Sequence, residues 1–149
     1  MLFSKAGEYG LQVVLHLAAG QHDGFVTVRE LADRCDIPFH FLSKICGRLA
    51  QAGILHSSKG PAGGVCLARP ATGITLLEVV QAIDGLDGFD RCVLGLEPCD
   101  DGLPCPMHDH WHRLKEGVLE MLSGRNLGEL ADDLLSGNTT LNKEKTPAG

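Results

Sequence analysis

The sequence predicts a mostly α-helical protein with one small β-hairpin: a winged helix-turn-helix domain followed by a long helix. Three observations carry this. Two amphipathic helical segments, TVRELADRC and PFHFLSKICGRLAQA, are separated only by Asp36 and Ile37. Two short β-prone runs, ILHSSK and VCLAR, flank GPAGG, whose glycines permit a tight reversal. A further amphipathic stretch, PMHDHWHRLKEGVLEMLSG, lies well beyond that hairpin. A short helix pair followed by a hairpin places one helix where it can enter a major groove and the hairpin beside it.

The elements follow in order. SKAGEYGLQVVLHLAAG repeats Leu11, Val14, Leu15 and Ala18 at helical spacing, and Gly20 ends it before the loop QHDGF. Thr27 and Glu30 have the spacing of a capping box, with Val28, Leu31 and Ala32 as the apolar face behind them. Pro38 suits the first turn of the next helix, whose face is Phe41, Leu42, Ile45 and Leu49 and which Gly53 stops. Thr75 and Glu78 form a second capping box opening LLEVVQAID, which Gly85 ends. Pro106 begins the long helix, with a stripe of Trp111, Leu114, Val118, Met121 and Leu122. LGELADDLL is a last short helix, and SGNTTLNKEKTPAG is a polar, disordered tail. The expected organisation is a winged helix-turn-helix over 1–84, a cysteine-bearing loop over 85–105, a dimerisation helix and short C-terminal helix over 106–135, and the tail over 136–149.

The chain has 149 residues, 44% of them hydrophobic, enough for one core. No apolar run is long enough to span a membrane. The opening MLFSKAGEYG lacks the apolar stretch of a signal peptide, so a cytoplasmic protein is expected. The net charge is −6, which argues against nucleic acid until the halves are separated. Residues 1–70 carry seven Lys/Arg against five Asp/Glu, and residues 71–149 carry six against fourteen. A basic contact surface can therefore survive in the first half.

Lys44 and Arg48 stand four apart on the polar side of the second helix of the pair, with His40 and Ser43. Such a face can meet phosphates or guanine edges. Ser58, Lys59 and Gly60 put a hydroxyl, a cation and a turn at the hairpin tip. The expected DNA-contacting set is Ser4, Thr27, Pro38, His40, Ser43, Lys44, Arg48, Ser58, Lys59 and Gly60.

The segment CVLGLEPCDDGLPCPMH holds half of the chain's six cysteines. In a reducing compartment, clustered cysteines point to metal ligands or redox thiols rather than disulfides. Thiolates suit iron–sulfur clusters, zinc or copper. Cys105 precedes a helix start, where the dipole favours a thiolate, and His108 in the first turn can approach the same centre. The spacing is not a pair of C-x-x-C knuckles, so an iron–sulfur cluster, zinc and a thiol switch all stand. His110 and His112 read as exposed helix residues, and Cys35, Cys46 and Cys66 as small core residues.

These features resemble the IscR/NsrR/CymR family of bacterial winged-helix transcription regulators, also called Rrf-two. The resemblance covers residues 1 to about 135, carried by SKAGEYGLQVVLHLA, TVRELADRCDIPFHFLSKICGRLAQAGIL, the wing SSKGPAGGVCLARP and the cysteine segment through CPMH. It implies a homodimer whose long helices cross, seamed here by Trp111, Leu114, Val118 and Leu122, on a palindromic double-stranded DNA operator. It also implies an iron–sulfur cluster, 2Fe-2S or 4Fe-4S, on Cys92, Cys99 and Cys105, with His108 or Glu8 of the partner subunit as fourth ligand. The expected function is a DNA-binding repressor, not an enzyme, whose affinity follows redox, nitric oxide or iron–sulfur status. The alternatives are a regulator of the same fold using its cysteines as a thiol switch or zinc ligands, and a module that binds a protein partner instead of DNA. Three departures stand out: Lys59 where the family commonly has arginine, Leu2 where a basic residue is usual, and Phe-Leu-Ser-Lys at 41–44 where Tyr-Leu-Glu-Gln is frequent. Lysine keeps the charge but loses the planar fork.

Overall fold

The computed structural model describes residues 2–20, 24–61 and 63–141. Its elements are α1 (Lys5–Ala19), α2 (Val28–Cys35), α3 (Phe39–Gln51), β1 (Leu55–Ser58), β2 (Gly64–Leu67), α4 (Leu76–Ile83), α5 (Asp87–Asp90), α6 (His108–Ser123) and α7 (Leu127–Leu135). This is the mostly helical architecture with one antiparallel hairpin that the sequence predicts.

Side chains satisfy the first free N–H groups of α1, α2, α4 and α7. Ser4, Thr27, Thr75 and Asn126 accept from the backbone of Gly7, Glu30, Glu78 and Glu129. At α4 the full capping box forms, with Glu78 returning to the Thr75 N–H at 2.9 Å. At α2 only half of it forms, because the Glu30 carboxylate instead accepts from Arg34 at 2.6 Å. Asp36 turns the chain between α2 and α3 in the left-handed region, at φ 54°.

The core faces differ in detail from the apolar periodicity. α1 buries Gly7, Gly10, Val13, Val14 and Leu17, while Leu11, Leu15 and Ala18 are only partly covered. The reason is that α4 and α7 both pack on α1, so its contact face turns toward the glycines. A Cβ on Gly10 would collide with the Cδ1 end of Ile83, so the glycine leaves room for the Ile83 side chain to lie on α1 as it does. α3 buries Leu42, Ile45, Cys46 and Leu49, and Phe41 moves to the rim, its ring edge-on to Tyr9 at 5.5 Å.

The wing is tied back to the helix pair. Val26, just ahead of α2, exchanges two backbone hydrogen bonds with Val65 of β2, at 2.9 and 2.8 Å. Gly64, at φ 141°, makes that approach possible, since a Cβ there would lie 2.2 Å from the Val26 carbonyl oxygen.

The long helix begins at His108, two residues later than the proline signal at Pro106, after a turn in which Cys105 accepts from the His108 N–H at 3.1 Å. α6 packs on α4. Leu122 is 1% exposed, whereas Leu114 and Met121 are 62% and 58% exposed. Leu122 is thus already covered within its own chain, and the outward residues of the stripe are Leu114 and Met121, with Val118 half-buried between them. The chain then returns: Leu127 N–H donates to the Ile74 carbonyl at 2.8 Å, and α7 packs on α1 in the same core as Val13, Leu42 and Val79. Of the expected disordered tail, 136–141 carry exposed turns, and 142–149 lie outside the described residues, as do 21–23 of the QHDGF loop. Among the described residues no helix is long and apolar enough to cross a membrane.

Leu127 is fully buried and joins α7 to the core. Leu127→Ala is expected to destabilise the protein by about 2–5 kcal/mol, the range for emptying a buried leucine site. Urea unfolding measures this; an unchanged midpoint would place α7 outside the cooperative unit.

Candidate metal centre

The cysteine-bearing loop is held between α5 and the first turns of α6. Phe89 of α5 is buried, and three residues later Cys92 is buried too. The Trp111 indole N–H donates to the Arg91 carbonyl at 2.9 Å, pinning the loop's entry to the second turn of α6. Gly95 N–H closes a turn on the Cys92 carbonyl at 2.9 Å. Asp100 Oδ1 accepts from Gly102 N–H at 2.8 Å, closing a second turn between Cys99 and Cys105.

These turns bring the predicted ligands together. Cys92 Sγ and Cys105 Sγ stand 3.6 Å apart. Cys99 Sγ stands 3.8 Å from His108 Nδ1 and 3.8 Å from His112 Nε2. Two donors on one tetrahedral ion, with metal–sulfur bonds of about 2.3 Å and metal–nitrogen bonds of about 2.0–2.1 Å, stand about 3.6–3.8 Å apart. Each close pair therefore has the bite of two ligands sharing a metal. Cys92, Cys99, Cys105 and His108 all line one cavity of about 240 Å³, walled by Leu96, Leu103 and two prolines. The donor set, three soft sulfurs and an imidazole around an otherwise largely apolar hollow, fits an iron–sulfur cluster.

The electrostatics are consistent with ligation. Backbone N–H groups of Leu94, then Leu96, hold the Cys92 thiol below its ordinary range by favouring the thiolate. Burial pushes Cys105 up, and the neighbouring Cys92 and Cys99 sulfurs add to it against the opposing Met107 N–H. Crowding thiolates is unfavourable without a cation among them. His108 is buried, and its Nε2 meets Asp101 Oδ1 at 2.8 Å. A carboxylate on one ring nitrogen fixes the tautomer and leaves the other nitrogen's lone pair free for a metal. Here that other nitrogen, Nδ1, is the one that faces Cys99.

His112 is the residue the sequence reading passes over. It faces Cys99 rather than standing free, and forms with Cys99 and His108 a group whose donor atoms lie within 4.8 Å of one another. Its four-residue spacing from His108 was the available signal, since it puts both rings on one helix face. Glu8 pairs with Lys5 at 3.5 Å within its own chain.

His40, Ser43 and Lys44 are exposed on α3, and Lys59 and Gly60 are exposed at the wing tip. α3 packs against β1, so helix and wing are parts of one body. Other members of the expected DNA-contacting set have structural work. Arg48 donates to the Ile83 carbonyl at 3.3 Å, tying α3 to the end of α4. Ser4 caps α1 and binds Asp84 through both its hydroxyl and its N–H. Thr27 caps α2, Pro38 sits at the start of α3, and Ser58 is half-buried at the end of β1.

Known proteins resemble this chain in sequence and fold. The sequence model of the family Rrf2, described as an iron-dependent transcriptional regulator, matches residues 3–133. The HTH-type transcriptional regulator IscR of Photobacterium profundum is 31% identical over 133 residues, spanning 89% of this chain and 77% of that protein. The structure of CymR, the global cysteine regulator of B. subtilis, superposes with a TM-score of 0.72 at 25% identity, covering 94% of this chain and 99% of that one. IscR of T. potens superposes with a TM-score of 0.73 at 22% identity, covering 94% and 93%, a likeness of fold.

The remaining cysteines are of a different kind. Cys46 is buried in the core, and Cys35 and Cys66 are half-buried. Burial pushes Cys35 and Cys46 up to about 11. At pH 8 their thiolate fraction is about a hundredfold below that of an ordinary thiol. Alkylation of the native protein with iodoacetamide, followed by peptide mass analysis, is expected to leave both unmodified long after a model thiol has reacted. Rapid modification of Cys46 would show that α3 opens locally.

Proposed function

Because the chain belongs to the Rrf2 family of transcriptional regulators, and is a helix-turn-helix regulator rather than an enzyme, we propose that it is a dimeric repressor of a palindromic operator controlled by an iron–sulfur cluster. Cys92, Cys99 and Cys105 would hold the cluster, with His108 in the fourth position. The observation that carries this is the single cavity lined by all three cysteines and His108, with sulfurs 3.6 Å apart at one pair and sulfur and nitrogen 3.8 Å apart at the other. When bound, the cluster supplies a group sensitive to redox state and nitric oxide.

The chain's own residues supply the rest. Ligation would fix the 92–105 loop against α6, which packs on α4. α4 ends at Ile83, whose carbonyl is bonded to Arg48 of α3. The order of the loop is thereby linked to the placement of the helix that offers His40, Ser43 and Lys44 to DNA. Leu114 and Met121 on α6, with the half-buried Val118 and Trp111 beside them, would be covered by the same helix of a second copy, since a monomer leaves Leu114 and Met121 in water. In this arrangement each subunit gives one wing and one α3 to half of the operator.

Two outcomes are expected. Each of Cys92→Ala, Cys99→Ala and Cys105→Ala, purified without air, should hold at least about tenfold less iron than the unmodified protein, because no other group in the loop can replace a thiolate. Full iron in any one of them would remove that ligand from the site. Lys59→Ala should weaken binding to all DNA sequences and flatten the logarithmic salt slope by about one, the signature of one lost phosphate contact. An unchanged slope would take Lys59 out of the interface.

A further inference from the structure

The centre carries more donors than a four-ligand cluster needs. Cys92, Cys99 and Cys105 supply three sulfurs, and both His108 and His112 present a ring nitrogen at 3.8 Å from the same Cys99 sulfur. The two rings lie 4.2 Å apart, centroid to centroid, on successive turns of α6. They differ in how they are held. His108 is buried and bonded to Asp101 through Nε2. His112 is half-exposed and borders an open surface hollow with Asp109, Arg113 and Glu116. One imidazole is fixed in place, and the other has room to turn.

We propose that His112 is a reserve ligand: it takes the fourth position of the iron–sulfur cluster through Nε2 when His108 leaves it. The inference rests on the cluster reading above and adds a residue to it. The exchange breaks one metal–nitrogen bond and forms another, with no change of electron count. A plain surface histidine would have no reason to direct Nε2 at the sulfur of the half-buried Cys99. The Cys99–His108–His112 group is also the only set of three His, Cys, Asp or Glu donors that converge closely enough for one ion among the described residues. The physical consequence is a fourth position that survives the loss of its first occupant, so that the cluster is released in two steps rather than one.

The test uses full-length protein purified without air and reduced, read by pulsed electron paramagnetic resonance for imidazole nitrogen coupling. Unmodified protein and His112→Ala should both show the coupling. His108→Ala should keep it with altered strength, and should keep iron to within about twofold. The double variant should lose the coupling, and its cluster should decay in air about tenfold faster than that of His108→Ala. His108→Gln, which retains a polar side chain at the buried position, should behave as His108→Ala and guards against a loosened helix start. Loss of coupling already in His108→Ala and His108→Gln, or its persistence in the double variant, would overturn the proposal. Unmodified protein without iron would overturn the cluster reading itself, and this inference with it.

Discussion

Closing the segment from Cys92 to Cys105 until their sulfurs stand 3.6 Å apart gathers three thiols and two imidazoles into a small volume. Loop closure costs conformational entropy, and clustering ionised thiols costs electrostatic free energy. The described part of the protein meets the first cost with a few bonds: the Trp111 indole on Arg91, the turn at Cys92, and Asp101 on His108. None of these neutralises the sulfurs. A bound cation would, and the charge on the centre and the order of the loop would then be linked.

The rest of the fold gives this loop something to move. α4 is the shared member: it packs on α1, on α3 and on α6. Its C-terminal carbonyl at Ile83 holds Arg48, and Asp84 immediately after it holds Ser4 at the start of α1. Cys92 follows Ile83 by nine residues. On the proposed reading, a change in the loop would reach the same few residues that fix α1 and α3. Arg48, which charge and spacing assign to DNA, has one of its N–H groups in this linkage.

The helix pair and the wing were legible because their signals are local: the capping spacing of Thr27 and Glu30, the short Asp36-Ile37 turn before Pro38, and glycines at the hairpin. What was not legible depends on contacts distant in sequence. The buried face of α1 includes Gly7 and Gly10, which no hydrophobic pattern counts as apolar, and the Ile83 side chain lies where a Cβ on Gly10 would stand. Leu122 and Leu114 look equivalent on the α6 stripe, yet one is covered and the other bare, since α6 is buried within the chain near its two ends, at His108 and Leu122, and not at Leu114 between them. The three cysteines and His108 were candidates from residue type and order, and the structure brings them to one cavity. His112 was not, because its relation to Cys99 exists only once a thirteen-residue stretch has folded back onto the helix.

The central claim is that these donors hold iron and inorganic sulfide. Quantifying metals and acid-labile sulfide in protein purified without air tests it most directly. The account predicts a coloured protein with iron and sulfide in near-equal amounts and little zinc. Colourless protein with stoichiometric zinc, or with no metal at all, would contradict it.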